Sequence, residues 1–151
     1  SISMDNVHSM LNFGVMYREG ELYKKNNKKA MKLFEQAGTL GNIKAFVCLG
    51  GIYQEEGNDE KAKECYKKAI IEEDPLAYYN LGLIYLNEDK RIKAIQMFLN
   101  GARQGHYNSL MKLNQLGIDP DTEDDDLDDV IETRTQFHNI FKNFGAYDGE
   151  W

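Results

Sequence analysis

The sequence predicts an all-α protein: an α/α superhelical solenoid of about three and a half helix-hairpin repeats, closed by a C-terminal capping helix. Recurrence at one period is the first observation behind this. Ala30, Ala62 and Ala94 are spaced by 32 residues, as are Phe34, Tyr66 and Phe98, and likewise Ala37, Ala69 and Gly101. Fixed self-similarity of this length marks an array of small supersecondary units. The second observation is helical spacing within each unit. In Leu40–Tyr53, the residues Ala45, Leu49, Ile52 and Tyr53 fall on one helical face behind a Gly41-Asn42 turn. The third is composition: two prolines in 151 residues, with 28% charged residues and 42% hydrophobic ones. A chain of this size and composition can bury a core without membrane or disulfide support.

Each unit reads as a helix, a turn and a second helix. In the first unit the helices are expected over about Asp5–Arg18 and Asn27–Thr39. Its connection is four residues longer than the others, because Gly14 and Gly50 are 36 apart while Gly50 and Gly82 are 32 apart. The second pair is expected over Ile43–Glu56 and Asp59–Glu73, with Asp59 as the cap of its second helix after the Gly57-Asn58 turn. The third pair spans Pro75–Asn87 and Asp89–Gln104, and Pro75 suits a first helical turn, where its missing N–H costs nothing. Tyr17, Tyr53 and Tyr85 each follow their glycine by three residues. A fourth first-helix follows at His106–Leu116, in register through Ser109 and Leu113. No single hairpin buries its own apolar face, so neighbours supply the core; the small residues are expected to let helices approach and the aromatics to fill the space between hairpins.

Beyond the array, residues 118–129 read as an acidic linker and 130–151 as an amphipathic helix with a tail, the repeats occupying 4–117. Asp119–Glu132 holds nine acids and no base. The chain has 25 acids and 18 bases, so the rest carries 16 acids against 18 bases, and the net charge of −7 resides in this run. A solvated linker is the ordinary reading of such a block. The sharper one is a docking surface for a basic partner through Asp121, Asp124, Asp125, Asp126, Asp128 and Asp129. A calcium loop is a poor match, since Asp124 stands where a glycine is needed and Val130 where a bidentate glutamate is needed. Val130, Phe137, Ile140, Phe141 and Phe144 then fall at helical spacing, with acids opening the helix and Gly145 ending it. This stripe either caps the last repeat or serves as a partner-binding arm.

Several function classes lose support. There is no run of 18 apolar residues and no basic-then-apolar leader, so the expectation is a cytoplasmic protein starting at Met4, with no membrane partner. Cys48 and Cys65 are too few and the histidines (His8, His106, His138) too scattered for a zinc site, so no metal and no cofactor is expected. Two buried thiols are the simpler reading of the cysteines, although a disulfide within their hairpin is open. No nucleophile elbow, HExxH, phosphate loop or dinucleotide fingerprint is present, which argues against an enzyme. The lysines are spread among acids on second helices, which argues against nucleic acid as a partner.

The order of small residue, Leu-Gly, Tyr, turn, Ala, aromatic and Ala resembles tetratricopeptide-like repeats, and more closely their Sel1-like branch. The longer first connection containing Gly20 carries that resemblance, together with the Gly41-Asn42…Ala45 and Gly105-His106…Ser109 junctions. Phe13 in place of Leu, Gly101 in place of Ala, and the shorter later connections depart from the Sel1-like pattern. The resemblance covers about residues 5–117 and implies a curved array whose concave side is lined by first-helix residues outside the core. By register these are His8, Leu11, Val15 and Arg18, then Lys44, Val47, Gly51 and Gln54. The third and fourth units add Leu76, Tyr79, Leu83 and Leu86, then Asn108, Met111 and Gln115. The implied function is a non-catalytic adaptor that binds a partner protein or peptide on this face. The alternative is a dedicated inhibitor or chaperone, such as an immunity protein neutralising a basic toxin domain.

Overall fold

A computed structural model of the chain describes residues 4–19 and 26–143. Helices α1 (Met4–Glu19) and α2 (Asn27–Thr39) form the first hairpin, α3 (Ile43–Glu55) and α4 (Asp59–Ile70) the second, and α5 (Pro75–Asn87) and α6 (Arg91–Arg103) the third. Helix α7 (Tyr107–Leu116) follows as an unpaired first helix, and α8 (Leu127–Asn143) closes the described chain after a 3₁₀ turn at Asp124–Asp126. The two helices of each hairpin pack on one another, and each second helix packs on the first helix of the next unit. The result is an all-α repeat solenoid, with no strand among the described residues.

The links between helices repeat at half the unit length. Gly41, Gly57, Glu73, Asp89 and Gly105 all have positive φ, and each is followed by the residue that precedes a helix: Asn42, Asn58, Asp74, Lys90 and His106. A left-handed residue turns the chain sharply, and the next one can offer a side-chain cap. Asn58 accepts the Lys61 N–H at 3.2 Å, Asp74 accepts that of Ala77 at 3.0 Å, and His106 Nδ1 accepts that of Ser109 at 3.2 Å. Asn58 is therefore the cap expected at Asp59, and Asp59 is the first helical residue. Glu73 and Asp89 hold φ values of 57° and 60° without being glycine.

The hairpins are held by one recurring joint. A Cβ built on Gly14, Gly50 or Gly82 would lie 2.6 Å from the ring of Phe34, Tyr66 or Phe98 respectively, and all three rings are fully buried. The aromatics thus fill the interior of their own hairpins rather than the space between hairpins. The glycines make room for a ring, a requirement that side-chain volume alone imposes. Across the second and third hairpins a lysine of the second helix lies over a tyrosine of the first, Lys61 over Tyr53 at 5.6 Å and Lys93 over Tyr85 at 5.7 Å.

Between hairpins, small residues meet. Ala37 and Ala45, and then Ala69 and Ala77, are fully buried at successive junctions. At the third junction the same positions are Gly101 and Ser109, where a Cβ on Gly101 would lie 2.4 Å from Ser109 Oγ. The alanine missing at Gly101 is therefore compensated by the hydroxyl added at Ser109, which His106 Nδ1 meets at 2.9 Å.

A charged bolt joins the second and third units. Lys63 of α4 reaches Glu88 at the end of α5 at 2.5 Å and Glu60 at 2.9 Å, while Lys90 meets the other Glu88 oxygen at 2.8 Å. Hydrogen bonding to Glu88 and Glu60 pushes the Lys63 ammonium up to about 12. The same bonds, to Lys63 and then Lys90, hold the Glu88 carboxyl below its ordinary range.

The end of the array closes differently. Leu127 is buried with Leu99, Leu113 and Ile118, and Val130 and Ile131 pack against the same cluster. Arg103 ties the preceding turn down, donating to the Thr122 carbonyl at 3.3 Å and pairing with Asp124 at 3.5 Å. The last helix begins at Leu127, not at 130, so Asp128 and Asp129 form its first turn. It caps through its first two turns and seats on α6; further along, Ile140 is half exposed. The side chains of Phe137 and Phe141, and all of Phe144 and the tail, lie outside the described residues.

Candidate protein-binding surface

The first helices α1, α3, α5 and α7 carry the predicted surface, and their registers divide it into two halves. On the α3 side, Lys44 is exposed and Gln54 is half-buried, its amide oxygen accepting the Tyr66 hydroxyl of the hairpin core. Val47 is only 7% exposed and belongs to the core shared with the third unit, so it offers little side chain to a partner. The Arg18 side chain lies outside the described residues.

On the α5 and α7 side the surface is apolar. Leu76 is 44% exposed and Met111 39%. Tyr79, Leu83 and Leu86 are half-buried, leaning on the core. Tyr79 is fixed from both sides, with ring centroids 5.9 Å from Phe98 and 5.3 Å from His106. Asn108 and Gln115 are exposed at the α7 end. A packed core thus supports an open apolar row with polar flanks.

Two hollows open on the molecule. One, of about 500 Å³, brings His8, Leu11 and Lys44 of the predicted surface against Glu72, Glu73, Asp74 and Pro75. The other, of about 690 Å³, was not anticipated; it lies between the start of α6 and α8 and is lined by Lys90, Ile92, Lys93, Ile131 and Thr135 among others. Its sequence signal was Ile92, an apolar residue where the 32-residue register gives Lys28 and Glu60.

The acidic residues Asp121, Asp124, Asp125, Asp126, Asp128 and Asp129 are all exposed. The Asp121 N–H donates to Asp119 at 2.8 Å, and Asp124 faces Arg103. Neither cysteine forms a disulfide; Cys65 is buried, and desolvation pushes its thiol up to about 11, away from nucleophilic use at neutral pH. Among the described residues no three His, Cys, Asp or Glu side chains converge as a metal site, and no helix is long and apolar enough to cross a membrane.

Comparison with known proteins agrees with this geometry. The Sel1 repeat model matches residues 7–42, and a tetratricopeptide repeat model matches residues 43–70 and 76–101. The chain is a Sel1-like, tetratricopeptide-like repeat protein. Among solved structures it is similar to a protective antigen present in uropathogenic Escherichia coli strains that displays an SLR fold, with a TM-score of 0.66 and 26% identity. That match covers 77% of this chain and 28% of the antigen, so the chain spans under a third of that protein's length. A Sel1 repeat protein from Oxalobacter formigenes shares the fold, with a TM-score of 0.59 at 24% identity over 72% of this chain and 88% of that one. No curated protein matches at the sequence level. The long first connection and the short later ones divide the two repeat types between the first unit and the next two. Such repeats are generally protein-interaction modules.

Proposed function

We propose that the protein is a non-catalytic adaptor that holds a segment of a partner protein against the concave face of its first helices. The observation that carries this reading is the row formed by Leu76, Tyr79, Leu83, Leu86 and Met111. It stays partly open although the core beneath it is closed. Apolar surface left open on a packed scaffold fits the recognition of a helix or extended peptide, with side chains entering between neighbouring helices. Lys44, Gln54, Asn108 and Gln115 supply polar contacts at the flanks, and His8 and Leu11 extend the face toward the first unit.

The test is co-purification of the full chain with its partner, identified by mass spectrometry and then measured directly. Leu76→Glu and Met111→Glu are expected to weaken that partner about tenfold or more, with the melting temperature unchanged. Retained affinity in both variants would remove the face from the reading. The inhibitor alternative draws on the exposed carboxylates from Asp121 to Asp129. It requires affinity that collapses with salt, whereas an apolar row holds its partner at high salt.

A further inference from the structure

The start of α6 departs from its counterpart one unit earlier. Helix α4 opens with Asn58, Asp59, Glu60 and Lys61: a capping amide and two acids in the first turn. Helix α6 opens with Lys90, Arg91, Ile92 and Lys93, and no side chain caps it. An ammonium cannot accept the free N–H groups, and cations are misplaced at the positive end of a helix dipole. The missing cap and the misplaced charges both weaken this helix start. Ile92 is 39% exposed at the position where Lys28 and Glu60 stand in the first two units. Local stability is given up at this helix start.

What these residues build is the cleft of about 690 Å³ facing α8. Ile92 and Ile131 supply its apolar walls, Thr135 lies further along α8, and Lys90, Arg91 and Lys93 stand on the α6 side. Lys90 shares Glu88 with Lys63, and Arg91 lies 3.7 Å from Asp89. Of the charged residues that line the cleft, Lys90, Arg91 and Lys93 stand against Asp89 alone, three bases to one acid, in a chain whose net charge is −7. Past the cleft, Ile140 of α8 is 50% exposed. No first-helix residue lines this space, so it is separate from the face described above.

We propose that this cleft is a second docking surface, which takes an acidic segment of a partner protein carrying one large aliphatic or aromatic side chain. That side chain enters between Ile92 and Ile131, and its flanking carboxylates meet Lys90, Arg91 and Lys93. Apolar walls give affinity, while the cationic rim selects the sign of the segment. The volume accommodates a bulky side chain together with part of its backbone.

The experiment is selection from a random peptide library displayed on phage, with the full-length protein as bait. The expected binders carry Asp or Glu around a Leu, Phe or Trp. They weaken about tenfold or more on Ile92→Lys and on Lys93→Glu, and they are indifferent to Met111→Glu. Thermal melts of each variant confirm folding, and Thr135→Glu provides a second probe on the opposite wall. A library that yields no acid-rich binder overturns the proposal, as do binders insensitive to all three cleft substitutions. Binders lost on Met111→Glu would belong to the first-helix face instead. Sedimentation that finds self-association abolished by Ile92→Lys would assign the cleft to a second copy, also overturning it.

Discussion

In the first three units a glycine of the first helix lies under an aromatic ring of the second: Gly14 under Phe34, Gly50 under Tyr66 and Gly82 under Phe98. In the fourth, the same register holds Asn114, which is exposed, and the helix that follows seats on α6. The difference teaches what makes a hairpin here. Ordinary amphipathic helices suffice for stacking between units, since α7 packs on α6 as α5 packs on α4. Closing a first helix onto its own second helix needs the glycine and the ring together. Without them the chain terminates the array by burying Leu127 at the end of the shared core.

The sharpest way to break this comparison is to remove a ring. Phe98→Ala is expected to cost about 3–5 kcal/mol in urea denaturation, whereas Asn114→Ala should stay within about 0.5 kcal/mol. Similar costs at the two positions would mean that the joint is no special determinant. Next comes the closing device: Leu127→Ala should cost about 2–3 kcal/mol and raise dye binding to newly exposed apolar surface. A negligible change would make α8 an appended arm rather than a cap.

The smallest expected effect lies in the charged bolt between the second and third units. Glu88→Gln should cost about 1–2 kcal/mol at neutral pH, read from the shift in urea midpoint. Because the Glu88 carboxyl is held low when folded, its contribution is present above the ordinary carboxylate value near ~4.3 and is lost as pH falls through the folded value. Lys63, raised to about 12, contributes below the ordinary lysine value near ~10.4 and loses that contribution as pH rises through about 12. The difference between native and Glu88→Gln chains should therefore stay level from about pH 5 to 10 and shrink on the acid side. A difference that persists at low pH would assign the loss to packing rather than charge.

The repeat itself was legible, because Ala30, Phe34 and Ala37 recur with fixed spacing and that spacing is one-dimensional information. The partner of each ring was less so. The offsets from Gly50 to Tyr66 and from Gly82 to Phe98 are both 16 residues, and the first unit adds its four extra residues. Only the packed hairpin reveals that the ring needs that glycine. Glu73 and Asp89 were opaque for a related reason: residues other than glycine are uncommon in the left-handed region, so nothing in their type marks them as equivalent to Gly41 and Gly57. On the surface, helical register located Leu76 and Met111 on an open face. It could not separate them from Val47, whose burial depends on how closely the third unit approaches. The α6–α8 cleft escaped because α8 follows a turn whose path is set by Arg103, a contact that spans 21 residues to Asp124.

The exchange between Gly101 and Ser109 bears on how such arrays can be recombined. One atom's worth of volume has moved from a second helix to the first helix of the next unit. A hairpin transplanted as a whole from the second unit into the third would bring Ala69 against Ser109 and collide with its hydroxyl. A second helix moved together with the first helix that follows it would carry both halves of the fit. The natural cut for shuffling this protein therefore falls inside the hairpin, at the Gly57 and Asp89 turns, and not at the boundary that the repeat pattern suggests.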